Sequence, residues 1–318
     1  MDWMEQLQIR YVKMHFTLQF IEDADLHTYK NSMFRGGIGE MLLQQHCIRD
    51  RICRDKTKTG LCEFEKECVV QQMMYTEPEI LPDYMKERCS VGYAVECESK
   101  KRHFTAGDTL EFSLILFGKN IAYLSLYMQA VYLLGQNGLG KDRARYVITQ
   151  VTNQWGKPVP IEKTGMRLSH FRSATVADYA KWRMSKLEGQ ETLYLHFVTP
   201  MTTKFRGEPI RDIHTDVLKE SLLRRLYTLN CLEGHDEKIQ PHTEAPQVTA
   251  QHLTEEKQPR FSGRDQEKKI LKGLVGTIRL EDVSEEWLGL LCAGELVHIG
   301  KSVSMGAGRY RIRREEKE

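Results

Sequence analysis

The chain has 318 residues, 41% of them hydrophobic and 28% charged, with a formal net charge of +2. That is the composition of an ordinary globular protein of about two domains, and it excludes fibrous and disordered classes. No apolar run approaches the ~20 residues that span a bilayer, the N-terminus MDWMEQLQIR lacks a signal-peptide pattern, and a charge of +2 does not by itself argue for nucleic acid. A cytoplasmic, membrane-free protein is expected, in which eight cysteines stay reduced.

Residues 8–21 alternate in polarity and are rich in Tyr, Val, Phe and Thr, which predicts a strand. A helix over 31–46 follows, with Asn31 or Ser32 as its cap and Phe34, Ile38, Met41 and Leu42 on one face. A cysteine-rich insert occupies 47–75. Strands are expected at 91–97 and 109–117, then a buried helix at 120–134, a glycine-rich turn GQNGLG and a strand at 143–151. This order is βαββαβ, the ferredoxin-like pattern.

Residues 152–190 join this half to the next and fit no element clearly. The second half repeats the order. It has a strand at 192–198, a helix at 213–229, a weak strand near 247–254, a strand at 272–281, a helix at 284–293 and a last strand ending near 313. Leu218, Leu222, Leu226 and Leu229 share the apolar side of its first helix, with Arg224 and Arg225 elsewhere. Residues 233–246 and 255–270 read as polar loops. The expected fold class is therefore α+β, two tandem ferredoxin-like (RRM-like) domains at 1–151 and 191–318.

Each half also ends on glycines followed by a basic, Tyr-containing strand: GQNGLGKDRARYVI at 135–148 and GKSVSMGAGRYRI at 300–312. Gly300, Gly306 and Gly308 allow positive φ and a close approach to a ligand, and free N–H groups in such a loop bind anions. Lys301 and Arg309 add charge, and Ser302 adds a hydroxyl. A tight connection from helix to edge strand explains the same spacing equally well. Neither a P-loop nor a dinucleotide fingerprint is present.

GELVHIGKSVSMGAGRYRI resembles the C-terminal motif of CRISPR-associated endoribonucleases that process precursor CRISPR RNA, in the RAMP superfamily. The resemblance extends to FSGRDQEKKILKGLVGTIRLE, VTPMTTKFRGEPI, LLRRL, LHTYKNSMFRGGIGEML and LLGQNGLGKDRARY, nearly the whole chain. It departs at Met305 and Ala307, where an aromatic residue and a Leu are commoner, so base stacking at that point is not expected.

What the resemblance implies is metal-independent cleavage within a repeat. The ribose 2′-OH attacks its own phosphate and leaves a 2′,3′-cyclic phosphate and a 5′-OH. That chemistry needs a base, an acid and a cation, roles suited to His and to Lys or Arg. The family's catalytic His commonly lies at or just after the first helix, which points to His46, or to a helix-terminal His interacting with the dipole. His27, just before the helix, is the second choice, with Tyr29 as a hydroxyl donor and Lys301 as the phosphate-stabilising cation. Arg35, Lys204 and Arg309 are candidate phosphate contacts, or plain surface ion pairs. His298 belongs with them or fixes the loop by hydrogen bonds.

Cys47, Cys53, Cys62 and Cys68 could form a structural zinc site, as four thiolates can, although no CxxC is present; reduced thiols without metal fit as well, and an iron–sulfur site is the third reading. Cys89, Cys97, Cys231 and Cys292 read as core residues. Beside a zinc-stapled interaction protein, which would leave the arginines and the glycine loop unexplained, two functions stay open at this point. One is a nuclease acting on precursor CRISPR RNA. The other is a non-catalytic RAMP subunit that holds processed RNA within a CRISPR effector complex. Both allow a homodimer.

Overall fold

A computed structural model describes residues 3–54, 62–85, 90–162, 165–187, 192–262 and 267–314. The first half contains β1 (Arg10–Phe20), α1 (Asn31–His46), α2 (Val69–Met74), β2 (Tyr93–Glu96), β3 (Thr109–Phe117), α3 (Leu124–Asn137) and β4 (Tyr146–Thr152). Its antiparallel sheet has the order β2-β3-β1-β4, with the short strand Ala174–Thr175 added against β1. In β1, Val12, Met14, Phe16, Leu18 and Phe20 are buried, and the residues between them are partly exposed. This period of two turns one face toward α1 and α3. Phe34 of α1 stacks on Phe112 of β3 with ring centroids 4.1 Å apart.

The connecting segment holds α4 (Val176–Met184), started by a capping box between Thr175 and Asp178. The second half contains β5 (Leu193–Met201), α5 (Thr215–Leu232), β6 (Gln247–Ser262), β7 (Glu267–Glu281), α6 (Glu285–Val297) and β8 (Tyr310–Arg313). Its sheet order is β6-β7-β5-β8. In each half the second strand neighbours the third, the third the first, and the first the fourth. The expected tandem ferredoxin-like fold is thus present.

Four local expectations are corrected. Lys30, not Asn31 or Ser32, occupies the cap position of α1, with no side-chain capping bond. The helix expected from residue 120 begins at Leu124, after a 3-10 turn over Gly118–Tyr123. That turn is held by Asn120, which donates to Met73 O at 3.2 Å and accepts from Thr76 Oγ1 at 3.0 Å. Arg225, placed off the apolar side by spacing, is buried; it donates to Val297 O and Val91 O and so ties α5 to the first half. Finally, 255–262 and 267–270 are strand, not loop. β6 and β7 stay paired out to Ser262 and Glu267 as a long two-stranded arm. The arm has no core beneath it, so it lacks the apolar alternation that marks a strand.

The halves are joined by apolar packing as well. Tyr11, Ala94, Ile115 and Phe117 of the first half share one buried cluster with Leu222, Leu226, Trp287 and Tyr310 of the second. Among the described residues no helix is long and apolar enough to cross a membrane.

Candidate functional site

A cleft of about 1260 Å³ runs along α1. His27 and Tyr29 enter it from the segment before α1, and Arg35 from the first turns of the helix. Lys141 and Arg143 come from the α3–β4 turn, Arg260 and Lys268 from the arm, and Met305 from the glycine-rich loop. The helix is thinned on this side. Gly37 and Gly39 make room for Leu134 and Met74, but a Cβ on Gly36 would meet nothing within 4 Å. Glycine inside a helix costs roughly 0.5–1 kcal/mol. Packing accounts for two of these three glycines; Gly36 leaves bare helix backbone facing the cleft.

The first-half glycine turn brings its cations to the cleft that His27 lines. Leu139 and Ala144 exchange backbone hydrogen bonds of 2.8 and 3.0 Å across it. Gly138, at φ +87°, permits the closure, because a Cβ there would lie 1.9 Å from Arg143 O. Gly140 packs against Leu26, the residue before His27. Lys141 and Arg143 are therefore held against the segment that carries His27 and Tyr29. Burial, then Glu256, raises the Tyr29 pKa, so its hydroxyl stays a proton donor.

The second glycine loop does something else. Lys301 donates its N–H to Thr202 O, Gly306 to Val303 O, Gly308 to Pro200 O and Arg309 to Thr199 Oγ1. Most of the N–H groups that a phosphate cradle would use are already spent. Gly306 is buried with its α-carbon side against Asn31 and Val95 O, and Gly308 against Ile299 O. This loop is a clasp between the halves, and it leaves few backbone N–H groups for the phosphate-holding role expected of Gly300, Gly306 and Gly308. Gly308→Ala would set a Cβ 1.6 Å from Ile299 O at φ +69°. A loss of at least about 1–3 kcal/mol is expected, measured by chemical unfolding.

Under the clasp lies a buried charge network. Glu96, at the end of β2, meets Lys13 Nζ at 2.7 Å, His298 Nε2 at 2.9 Å and Arg309 Nε at 3.3 Å. Burial alone would raise its carboxyl pKa, but Lys13, Arg309 and His298 together hold it well below the usual carboxylate range. Burial lowers the pKa of His298, whose side chain has no exposed surface. His15, hydrogen-bonded to Ser113 Oγ, is lowered to about 4, by burial first and then by Lys13. His298 is thus structural rather than an RNA contact. Arg309 is committed to Glu96 and Glu98, so it does not present a free guanidinium.

Of the remaining expected residues, His46, Lys204, Lys301 and Ser302 do not line the cleft, whereas Cys53 and Cys62 do. His46 ends α1, half-buried, fifteen residues on from Asn31; at 1.5 Å per residue that is roughly 22 Å along the axis. His27 and His46 therefore belong to opposite ends of α1, and His27 is the one that lines the cleft. Lys301 is exposed, and Ser302 is partly so in a left-handed conformation. Lys204 is exposed on a two-residue ladder with Glu208–Pro209. These three are gathered around Thr202 and do not line the cleft. Among the described residues no three His, Cys, Asp or Glu side chains are placed to share a metal ion. Cys47, Cys53 and Cys68 instead pack against the first core. Cys231 and Cys292 are fully buried, Cys97 partly, and Cys89 lies outside the described residues.

Sequence reasoning saw Lys141 and Arg143 as a basic patch but did not bring them to the histidine. It missed Arg260 and Lys268 because their strands looked like loops.

Comparison with known proteins agrees with this architecture. Residues 7–173 match a family described as AF_1859_N, N-terminal domain, and residues 195–310 match the CRISPR-associated endoribonuclease Cas6 family. No curated protein matches the chain. Among solved structures, a chain of a partial Cas6-RT-Cas1--Cas2 complex aligns over 98% of this chain at 13% identity and a TM-score of 0.58. A Cas6-RT-Cas1--Cas2 complex aligns with the same coverage, identity and TM-score. This chain spans 47% and 29% of the length of those two chains. Cas6 from Thermus thermophilus aligns over 96% of this chain and 99% of its own, at 10% identity and a TM-score of 0.48. The chain belongs to the family whose N-terminal domain matches residues 7–173, and over residues 195–310 it is similar to the CRISPR-associated endoribonuclease Cas6 family.

Proposed function

We propose that this chain is an endoribonuclease that cleaves precursor CRISPR RNA within its repeats, without a metal ion, by attack of the ribose 2′-OH on the adjacent phosphate. The observation that carries the reading is the meeting of His27 and Tyr29 with Lys141 and Arg143 in one cleft. The neutral imidazole of His27 accepts the 2′-OH proton. The 2′-oxygen bonds to phosphorus, the P–O5′ bond breaks, and the Tyr29 hydroxyl gives its proton to the departing 5′-oxygen. The products are a 2′,3′-cyclic phosphate and a 5′-OH, and proton exchange with water resets the pair. Lys141 and Arg143 offset the charge that gathers on the phosphate. No step in this scheme requires a metal ion.

The proposed partner is precursor CRISPR RNA, handed on to other CRISPR subunits. The test is incubation with repeat RNA in excess chelator, beside the same RNA carrying one 2′-deoxy sugar at the cut site. Cleavage of the all-ribose RNA alone is expected. Cutting of the deoxy RNA, or a requirement for metal, overturns the scheme. Tight binding with no cutting assigns the chain to the RNA-holding subunits instead. In the cleft, Lys141→Ala with Arg143→Ala is expected to lower the slope of log affinity against log salt by about two and to weaken binding at least about tenfold. Filter binding across a salt series measures both.

A further inference from the structure

Arg35 is a half-buried cation lining the cleft. Its Nε is buried with no hydrogen-bond partner, while one terminal nitrogen donates to Ser90 Oγ at 3.0 Å. Ser90 Oγ in turn donates to Met74 O at 2.7 Å, which fixes it. The guanidinium lies 6.0 Å from the centre of the Tyr93 ring, and the Tyr93 hydroxyl is also buried without a partner. Arg35, Tyr75 and Ser90 line the cleft. Among the described residues no carboxylate pairs with Arg35. A permanent charge taken out of water normally carries a counter-ion, because its desolvation is otherwise uncompensated. Here hydroxyls and ring faces surround it, and the open side is the cleft. Bare backbone at Gly36, the next residue, lets a ligand come close.

We propose that Arg35, with Ser90, Tyr75 and Tyr93 around it, is a fixed anchor for a single RNA phosphate. It rests on the reading of the cleft as an RNA site and deepens it. Exposed Lys141 and Arg143 attract any phosphate; a recessed guanidinium accepts only the one that reaches it, and so sets the register of the RNA relative to His27. The anion is a phosphodiester. Its non-bridging oxygens accept from the guanidinium, and no covalent step is involved.

The experiment uses the full chain and repeat RNA with a 2′-deoxy sugar at the cut site. Each phosphate in turn is replaced by a neutral methylphosphonate. One position is expected to cost the wild-type chain about tenfold in affinity. Arg35→Gln should weaken the unmodified RNA by a similar factor, lower the salt slope by about one, and abolish the sensitivity at that position only. Arg35→Lys, which keeps the charge but not the planar fork, should retain the slope and recover part of the affinity. A flat methylphosphonate scan of the wild-type chain overturns the anchor, and it needs no variant to fold. So does a sensitive position that persists unchanged in Arg35→Gln. If wild-type chain cleaves the all-ribose RNA while either result holds, only the anchor falls. If it neither binds nor cleaves, the cleft reading falls and the anchor with it.

Discussion

Replacing His27 by alanine is expected to slow cleavage of precursor CRISPR RNA at least about a hundredfold, the ordinary worth of a positioned general base. Repeat-RNA affinity should change by less than about threefold, because the phosphate-facing cations of the cleft remain. His46→Ala is the informative companion. His46 closes the far end of α1 and does not line the cleft, so its loss should leave cleavage near wild type. Tyr29→Phe, which keeps the ring and removes the donor, should fall between the two. Single-turnover cleavage of end-labelled RNA with enzyme in excess reads the chemical step apart from product release. A dead His46→Ala beside an active His27→Ala would move the chemistry to the other end of the helix.

Glu96→Gln is expected to destabilise the fold by about 3–5 kcal/mol, the usual cost of breaking a buried ion pair from one side. Gln keeps the shape but leaves Lys13 and Arg309 beside an uncharged partner, and His298 loses its acceptor carboxylate. Denaturant unfolding monitored by tryptophan fluorescence measures the change. Acid should imitate part of it. The Glu96 carboxyl is held low in the folded state, so its contribution is present above an unfolded pKa near ~4.3 and is lost as pH falls through the folded value. His15 and His298 are lowered, so from about pH 6.5 downward the unfolded chain takes up protons that the folded one refuses. Both effects reduce stability on acidification. In Glu96→Gln the decline between pH 7 and 5 should persist, and the part below about pH 4.5 should shrink. An identical low-pH limb in both proteins would show that Glu96 is not the group being protonated.

The order of elements was legible because each strand and helix turns a periodic apolar face to one of two cores: Phe16 and Leu18, or Leu222 and Leu226. The arm was not, since its residues face no core and carry charge on both sides. Nor was the role of the glycines. GQNGLG and GKSVSMGAG have the same local pattern, and only tertiary placement decides which one presents cations and which is buried as a clasp. Arg225 shows the same limit from the other direction. A charged residue on a helix reads as surface, and the distant backbone carbonyl of Val297 satisfies it in the interior here. His27 and His46 could not be ranked from spacing, because a sixteen-residue helix separates them and the position of the cations was unknown.

The clasp also has a temporal meaning. His298 and Glu96 are 202 residues apart in the chain. On the ribosome the first half emerges with α1, His27 and the α3–β4 turn, yet without the loop that contributes Met305 to the cleft and buries Glu96. Contacts of such long sequence separation form late. Throughout most of synthesis the nascent protein therefore lacks one wall of its cleft, and Glu96 stands open to water until the last strand has been made.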